Sequence, residues 1–307
     1  MNAIEITQLK KSYGSVPIVK GIDLIVKRGE IFGFLGRNGA GKSTLINMLT
    51  GIIQPSSGTY SLLSVEGPND QVKKRVGVMP DYSTLYGSLT AVEHLKFLSA
   101  LSGNPATKVR CMEVLQLVGL ESHAHKKAAK FSFGMRKKLG IAQAIIHNPE
   151  LIFLDEPTSG LDAESAIHIH KLISQLQKEG KTIFMTSHNL DEVEKICTRI
   201  AIMKEGQIVK VGTMDELRAF YRSTITIKLK HSPIQKANQE LLNEWLESFG
   251  TDVIMNDSYT TINIDEEKKI AEMIRAFNQC KVDILRVEVE EPTLEDIFLD
   301  DSLNERI

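Results

Sequence analysis

Cysteine is scarce: three in 307 residues, Cys111, Cys197 and Cys280, far apart and with no paired spacing. That excludes a disulfide framework or a zinc knuckle and suits a reducing compartment. Long apolar runs are missing too. No stretch approaches the ~18 residues that a membrane span needs, and the opening MNAIEITQLKKSYG lacks the apolar centre of a signal peptide. Neither sign of charge dominates. Lys+Arg at 37 against Asp+Glu at 39 give −2, so composition raises no expectation of a nucleic-acid partner. Low-complexity tracts and internal repeats are absent as well. What remains is ordinary globular composition, with 42% hydrophobic and 25% charged residues, in a chain long enough for two domains. If it works at a membrane, something else must do the spanning.

One stretch organises the rest. GRNGAGKST, Gly36 to Thr44, fits G-x-x-x-x-G-K-[ST]. A polyphosphate needs many donors at once, and the turn Gly36, Arg37, Asn38, Gly39, Ala40, Gly41 lets main-chain N–H groups converge without Cβ obstruction. The helix expected to follow points its positive end at the same place. Lys42 is placed to reach the β- and γ-phosphates, and the Ser43 hydroxyl to ligate Mg²⁺. EIFGFLG before the loop reads as a buried strand, and Leu45, Met48, Leu49 and Ile52 after it recur at helical spacing. Strand, loop and helix together make a nucleotide-phosphate site.

Along the chain, AIEITQL and IDLIVKRGE alternate as half-buried strands, predicting an antiparallel ribbon with KKSYGSVPIVKG as the turn region between them. Tyr13 in that turn can stack on a nucleotide base or simply pack on its neighbours. TYSLLSV and VGVMPD are further strands. From about residue 82 to 146 the pattern turns helical: a capping box at Thr90 and Glu93, a stripe at Val92, Leu95, Leu98 and Leu101, and a second stripe at Val109, Met112, Leu115 and Val118. A third helix opens at FSFGMRKKL. LIFLDE, Leu151 to Glu156, reads as a central parallel strand with its carboxylates at the ligand-binding edge. There Asp155 can hold Mg²⁺ directly or through water, and Glu156 can orient and deprotonate an attacking water. Asp162 caps the next helix, and TIFMTSH is a buried strand whose polar end is His188. Beyond about residue 222 the order β-α-β-β-α-β matches a small ferredoxin-like sandwich. The domains are therefore expected at 1–222 and 223–307.

GRNGAGKST, FSFGMRKKL, LIFLDEPTSGLD and MTSH, in that order, resemble the ATP-binding subunit of ABC transporters over roughly Asn2 to Arg222. The resemblance implies a P-loop NTPase fold: a RecA-like core sheet, an antiparallel β subdomain and a helical subdomain. It matches Tyr13 to the aromatic that stacks on adenine and Gly36 to Thr44 to the Walker A loop. Asp155 matches the Walker B aspartate, Glu156 the catalytic glutamate, and His188 the switch histidine at the γ-phosphate. Ser159, Gly160, Leu161 and Asp162 match the D-loop. The family also implies a head-to-tail pair in which Ser132, Phe133, Gly134 and Met135 of one copy complete the other copy's ATP site. Ser132 and Gly134 open a helix, so a second positive helix end can meet the γ-phosphate. Two places depart from the family. Phe133 and Met135 stand where it has glycine and glutamine, and Asp81 stands where it usually has glutamine. An aspartate there can still reach the metal or its waters.

With Glu156 and His188 both present, one copy paired with itself has two hydrolytic sites, so a homodimer is expected. The C-terminal domain, including EPTLEDIFL, is similar to the appendage of bacterial exporter-type ATPases. The resulting expectation is a cytoplasmic ATPase, peripheral on the inner face of the membrane. With ATP and Mg²⁺ it would drive a separately encoded membrane-spanning permease. The competing expectation is a soluble ABC-type ATPase acting on ribosomes or nucleic acid. It calls for a second cassette or a long coiled coil, and neither is present. A GTP-binding switch calls for N-K-x-D, also missing. Lys126, Lys127, Lys130 and Arg136 to Lys138 read as a solvated helix face. His168 and His170, two apart on one helix, point away from each other and make a poor metal pair.

Overall fold

The structure is a computed structural model that describes residues 1–80, 85–221 and 225–290, with side chains described for all of these except 218–221. Asp81 and the 291–299 segment, on which two of the expectations above fall, lie outside the described residues. The chain divides into two compact units, Met1–Met214 and Asp215–Ile307.

In the first unit, β1 (Asn2–Tyr13) and β2 (Val16–Lys27) form the antiparallel ribbon. Both strands run further than the sequence suggests. The turn shrinks to Gly14 and Ser15, and the polar stretch around it is exposed strand, with Tyr13 paired to Val16. Then come β3 (Ile31–Leu35), α1 (Lys42–Leu49), β4 (Ser57–Leu62), β5 (Val65–Glu66), α2 (Asp70–Lys73) and β6 (Val76–Met79). The helical stretch holds α3 (Ala91–Leu101), α4 (Lys108–Leu117) and α5 (Phe133–Ile145). After it come β7 (Leu151–Asp155), α6 (Ala163–Lys178), β8 (Thr182–Ser187), α7 (Leu190–Ile196), β9 (Arg199–Lys204) and β10 (Gln207–Gly212).

Two sheets result. One has the order β2-β1-β4-β5; the other is β10-β9-β3-β8-β7-β6, parallel except for the β9–β10 hairpin. Every residue of β3, β7 and β8 is buried, as strands covered on both faces must be. Phe184 packs on Phe32, Phe34 and Phe153 with centroids 5.5–5.8 Å apart. That aromatic cluster and the inner faces of β1 and β2 share one core with Leu45 and Met48 of α1. The carboxyl ends of β3, β7 and β8 are thereby held side by side, and the site forms there.

The capping box of α3 is present, Thr90 and Glu93 each bonding the other's backbone. The stripe on α4 is shifted from the expected one. Cys111, Val114, Leu115 and Val118 are buried, while Val109 is 68% exposed. Packing against α3 and α5 decides which of α4's apolar residues face inward, and periodicity alone left two stripes available.

The division falls at the first residue of α8 (Met214–Tyr221), and the second unit continues with β11 (Ile225–His231), α9 (Lys236–Phe249), β12 (Thr251–Met255), β13 (Tyr259–Ile264), α10 (Lys268–Gln279) and β14 (Ile284–Glu290). Its sheet order β12-β13-β11-β14, antiparallel throughout, is that of a ferredoxin-like sandwich. Ile227, Leu229, Leu242, Leu246, Met273 and Phe277 lie in its core.

Candidate functional site

The loop between β3 and α1 turns on Gly41, whose φ of +108° and place as N-cap of α1 admit no side chain cheaply. A Cβ there would come within 3.0 Å of the Ile18 carbonyl oxygen. The helix starts without a side-chain cap, so its first N–H groups are left to face the loop. Arg37, Asn38 and Gly39 are exposed at the rim, Ala40 is buried, Ser43 is exposed and Thr44 half-buried. Together with Tyr13 and Glu156, these loop residues other than Ala40 line an open cavity of about 340 Å³.

Lys42 is only 6% exposed. Its Nζ donates to the Gly36 carbonyl at 2.6 Å and sits 3.4 Å from Glu156 Oε1. The other Glu156 oxygen, Oε2, is 2.8 Å from His188 Nδ1. Glu156 Oε1 is buried and accepts no hydrogen bond, an oxygen left for a donor to fill. One residue earlier, buried Asp155 accepts from Thr186 Oγ1. The same Thr186 oxygen accepts the Glu156 N–H at 3.0 Å. Residues from both halves of the unit thus meet at one sheet edge: Lys42, Asp155, Glu156 and His188. Exposed Ser43 and buried Asp155 supply hard oxygen donors of the kind Mg²⁺ takes.

The FSFGM stretch forms a second group. Ser132 is the N-cap of α5, its Oγ accepting from Met135 N–H at 3.3 Å. Gly134 approaches Leu161, and a Cβ on Gly160 (φ +75°) would lie 2.6 Å from Phe133 Cε1. Phe133 therefore packs on the D-loop stretch of its own chain while remaining 57% exposed. Ser159 N–H reaches the Glu156 carbonyl at 3.4 Å, and Asp162 caps α6 by accepting from Ser165 N–H. The Ser132 bond stays within its own helix and does not join the Lys42 group.

Two features escape the sequence reading. Lys137, expected on a solvated face, is buried. And beneath the His188 loop a buried carboxylate, Glu192, accepts from Ser187 Oγ at 2.8 Å, His170 Nε2 at 3.0 Å and Thr158 Oγ1. His168 turns instead to the Leu117 carbonyl. Burial pushes the Glu192 carboxyl up, but the bonds from His170, Thr158 and Ser187 outweigh it and hold it below the usual range. Replacing Glu192 with Gln should cost about 1–3 kcal/mol in urea unfolding at neutral pH, the scale of hydrogen bonds to a buried charge. A depressed folded pKa stabilises above the ordinary glutamate range and is lost as pH falls through the folded value. The gap between wild type and Glu192→Gln should therefore narrow in acid; a gap unchanged down to about pH 3 would show that the charge contributes nothing.

A buried strand, a glycine loop, an uncapped helix start carrying a buried lysine, and carboxylates at the end of β7, one strand removed in the same sheet, define a P-loop NTPase. Comparison with known proteins narrows this. Residues 19–159 match the ABC transporter family and 212–301 the DrrA1-3-like ATP-binding protein C-terminal domain. The linearmycin resistance ATP-binding protein LnrL of Bacillus subtilis (strain 168) is 35% identical over 96% of this chain and 97% of its own length. The bacitracin transport ATP-binding protein BcrA of Bacillus licheniformis is 34% identical over 96% of each. A solved dimeric bacterial ABC transporter cassette aligns with a TM-score of 0.65 and 25% identity, covering 69% of this chain and 98% of that one. The chain belongs to the ATP-binding proteins of ABC transporters, of the exporter type with a DrrA-like C-terminal domain. It is an ATP-binding, ATP-hydrolysing subunit, and subunits of this family dimerise and work with permeases. No helix among the described residues is long and apolar enough to cross a membrane.

Proposed function

We propose that two copies of this chain clamp two ATP molecules between them at the cytoplasmic face of the membrane and so drive a separately encoded permease in export. The observation that carries this is the contact chain Lys42–Glu156–His188 at the mouth of the phosphate loop. The Glu156 carboxylate faces Lys42 across 3.4 Å. An entering γ-phosphate takes that place on Lys42, and the carboxylate is released to orient and deprotonate water. His188 keeps contact with Glu156 through Nδ1, which holds the ring at the γ-phosphate position. Tyr13, 53% exposed at the cavity rim, is open for the adenine to stack on. Ser43 and Asp155, joined on the strength of the sequence resemblance by Asp81, would hold Mg²⁺, which neutralises charge on the phosphates.

Ser132 and Gly134 of the partner subunit close the site with the α5 helix end. Ser159 to Asp162 lie where the chain passes from the base to α6, and carry the change at one site towards the other. Loss of the γ-phosphate removes the bridging charge, and the pair opens. A composite site makes a specific forecast. Lys42→Ala and Ser132→Phe chains, each inactive alone, should regain ATPase activity when mixed, because the mixed pair holds one intact site. No recovery, with mixed pairs shown to form, would count against a site shared between copies.

A further inference from the structure

Lys137 lies in a run of three basic residues on α5. Arg136 is exposed and Lys138 half-buried, yet Lys137 is only 3% exposed. A buried ammonium is costly unless its donors are used. Its Nζ donates to the main-chain carbonyl of Glu156 at 2.8 Å. The ring of Phe133, four residues back on the same helix, has its centroid 5.8 Å from that ammonium. Phe133 in turn rests against Gly160.

Glu156 has φ +51°, the left-handed region, which is strained for a non-glycine residue and persists only where its surroundings impose it. Here they do so from both sides. The Glu156 N–H is held by Thr186 Oγ1, and its carbonyl accepts from Lys137 and, at 3.4 Å, from Ser159 N–H. The carboxylate consequently points between Lys42 and His188.

We propose that Lys137 is a positioning residue for ATP cleavage. It fixes the strained backbone that aims the Glu156 carboxylate, and it ties that backbone to the helix opened by Ser132. The inference rests on reading Glu156 as the base. In the proposed pair, Ser132 and Gly134 face the other copy's phosphate, so a pull on α5 from that side reaches Glu156 through the Lys137 ammonium. Closure at one site is thereby felt by the base of the other. Phe133, where the family has glycine, shields this linkage from one side.

The test uses full-length Lys137→Met and Lys137→Arg, with Glu156→Gln as the reference. ATP bound per chain, KM for MgATP and the single-turnover cleavage rate are measured. Lys137→Met should bind ATP at wild-type stoichiometry with KM changed by no more than about threefold. Its cleavage should be about 10- to 100-fold slower, the scale of a misplacement near 1 Å. Lys137→Arg, which keeps a charged donor, should recover most of that rate. A merely structural role would lower the fraction of chains that bind ATP and leave the rate per bound ATP unchanged. Should Lys137→Met not give soluble protein, Lys137→Ala, which admits water in place of an apolar tip, carries the same expectation. A wild-type cleavage rate in Met or Ala beside an inactive Glu156→Gln overturns the inference and leaves the base assignment standing. Full turnover in Glu156→Gln overturns the base assignment and this inference with it.

Discussion

Glu156→Gln should cut ATP turnover by about 10²–10⁴-fold while leaving ATP binding intact, the range expected when a positioned general base is lost. The reasons are local. Glu156 Oε1 is buried without a hydrogen bond and Oε2 is engaged by His188, so the side chain has one oxygen aimed at the phosphate site and one anchored. An amide keeps the shape and still bonds His188, but it cannot take a proton from water. Because the amide also loses the ion pair with Lys42, the lysine is freer for the γ-phosphate, and affinity for ATP should hold or rise. Steady-state phosphate release and binding of a fluorescent ATP analogue separate the two effects. Turnover within a fewfold of wild type would remove Glu156 from the role of base.

Lys42→Ala should act on the other side of that contact. Its buried ammonium is the cation that the structure places at the head of α1, beside the Gly36 carbonyl. A hydrogen bond to a charged group is worth about 1.5–3 kcal/mol, so ATP binding should weaken about 10- to 150-fold. Hydrolysis should fall further, since the charge that builds on the γ-phosphate during transfer loses its nearest protein cation. The variant also leaves Glu156 facing an empty place, so its melting temperature should be followed alongside. Titration with ATP distinguishes the outcomes: full affinity with lost turnover would assign Lys42 to the chemical step alone.

The strongly local features were the legible ones. The phosphate loop is read from nine consecutive residues, and β3 and α1 on either side follow from short apolar patterns. The same holds for β7 with its two terminal carboxylates and for the β-α-β-β-α-β order of the second unit. Features set by packing were not legible. Lys137 sits among charged neighbours, and its burial and its bond to the Glu156 carbonyl come from tertiary packing. The Glu192 cluster draws Thr158, His170 and Ser187 from three separate segments, so no spacing announces it. The α4 stripe and the length of the β1–β2 ribbon differ from the sequence pattern for the same reason: neighbouring elements, not the segment's own period, chose the buried face and carried the pairing through polar residues.

The claim on which the account turns is that ATP joins two copies of this chain and its cleavage parts them. Sedimentation of full-length Glu156→Gln, with and without MgATP, tests it most directly. Monomer without nucleotide, dimer with MgATP, and return to monomer with MgADP are the expected results. A Glu156→Gln chain that binds MgATP and still sediments as a monomer would contradict it.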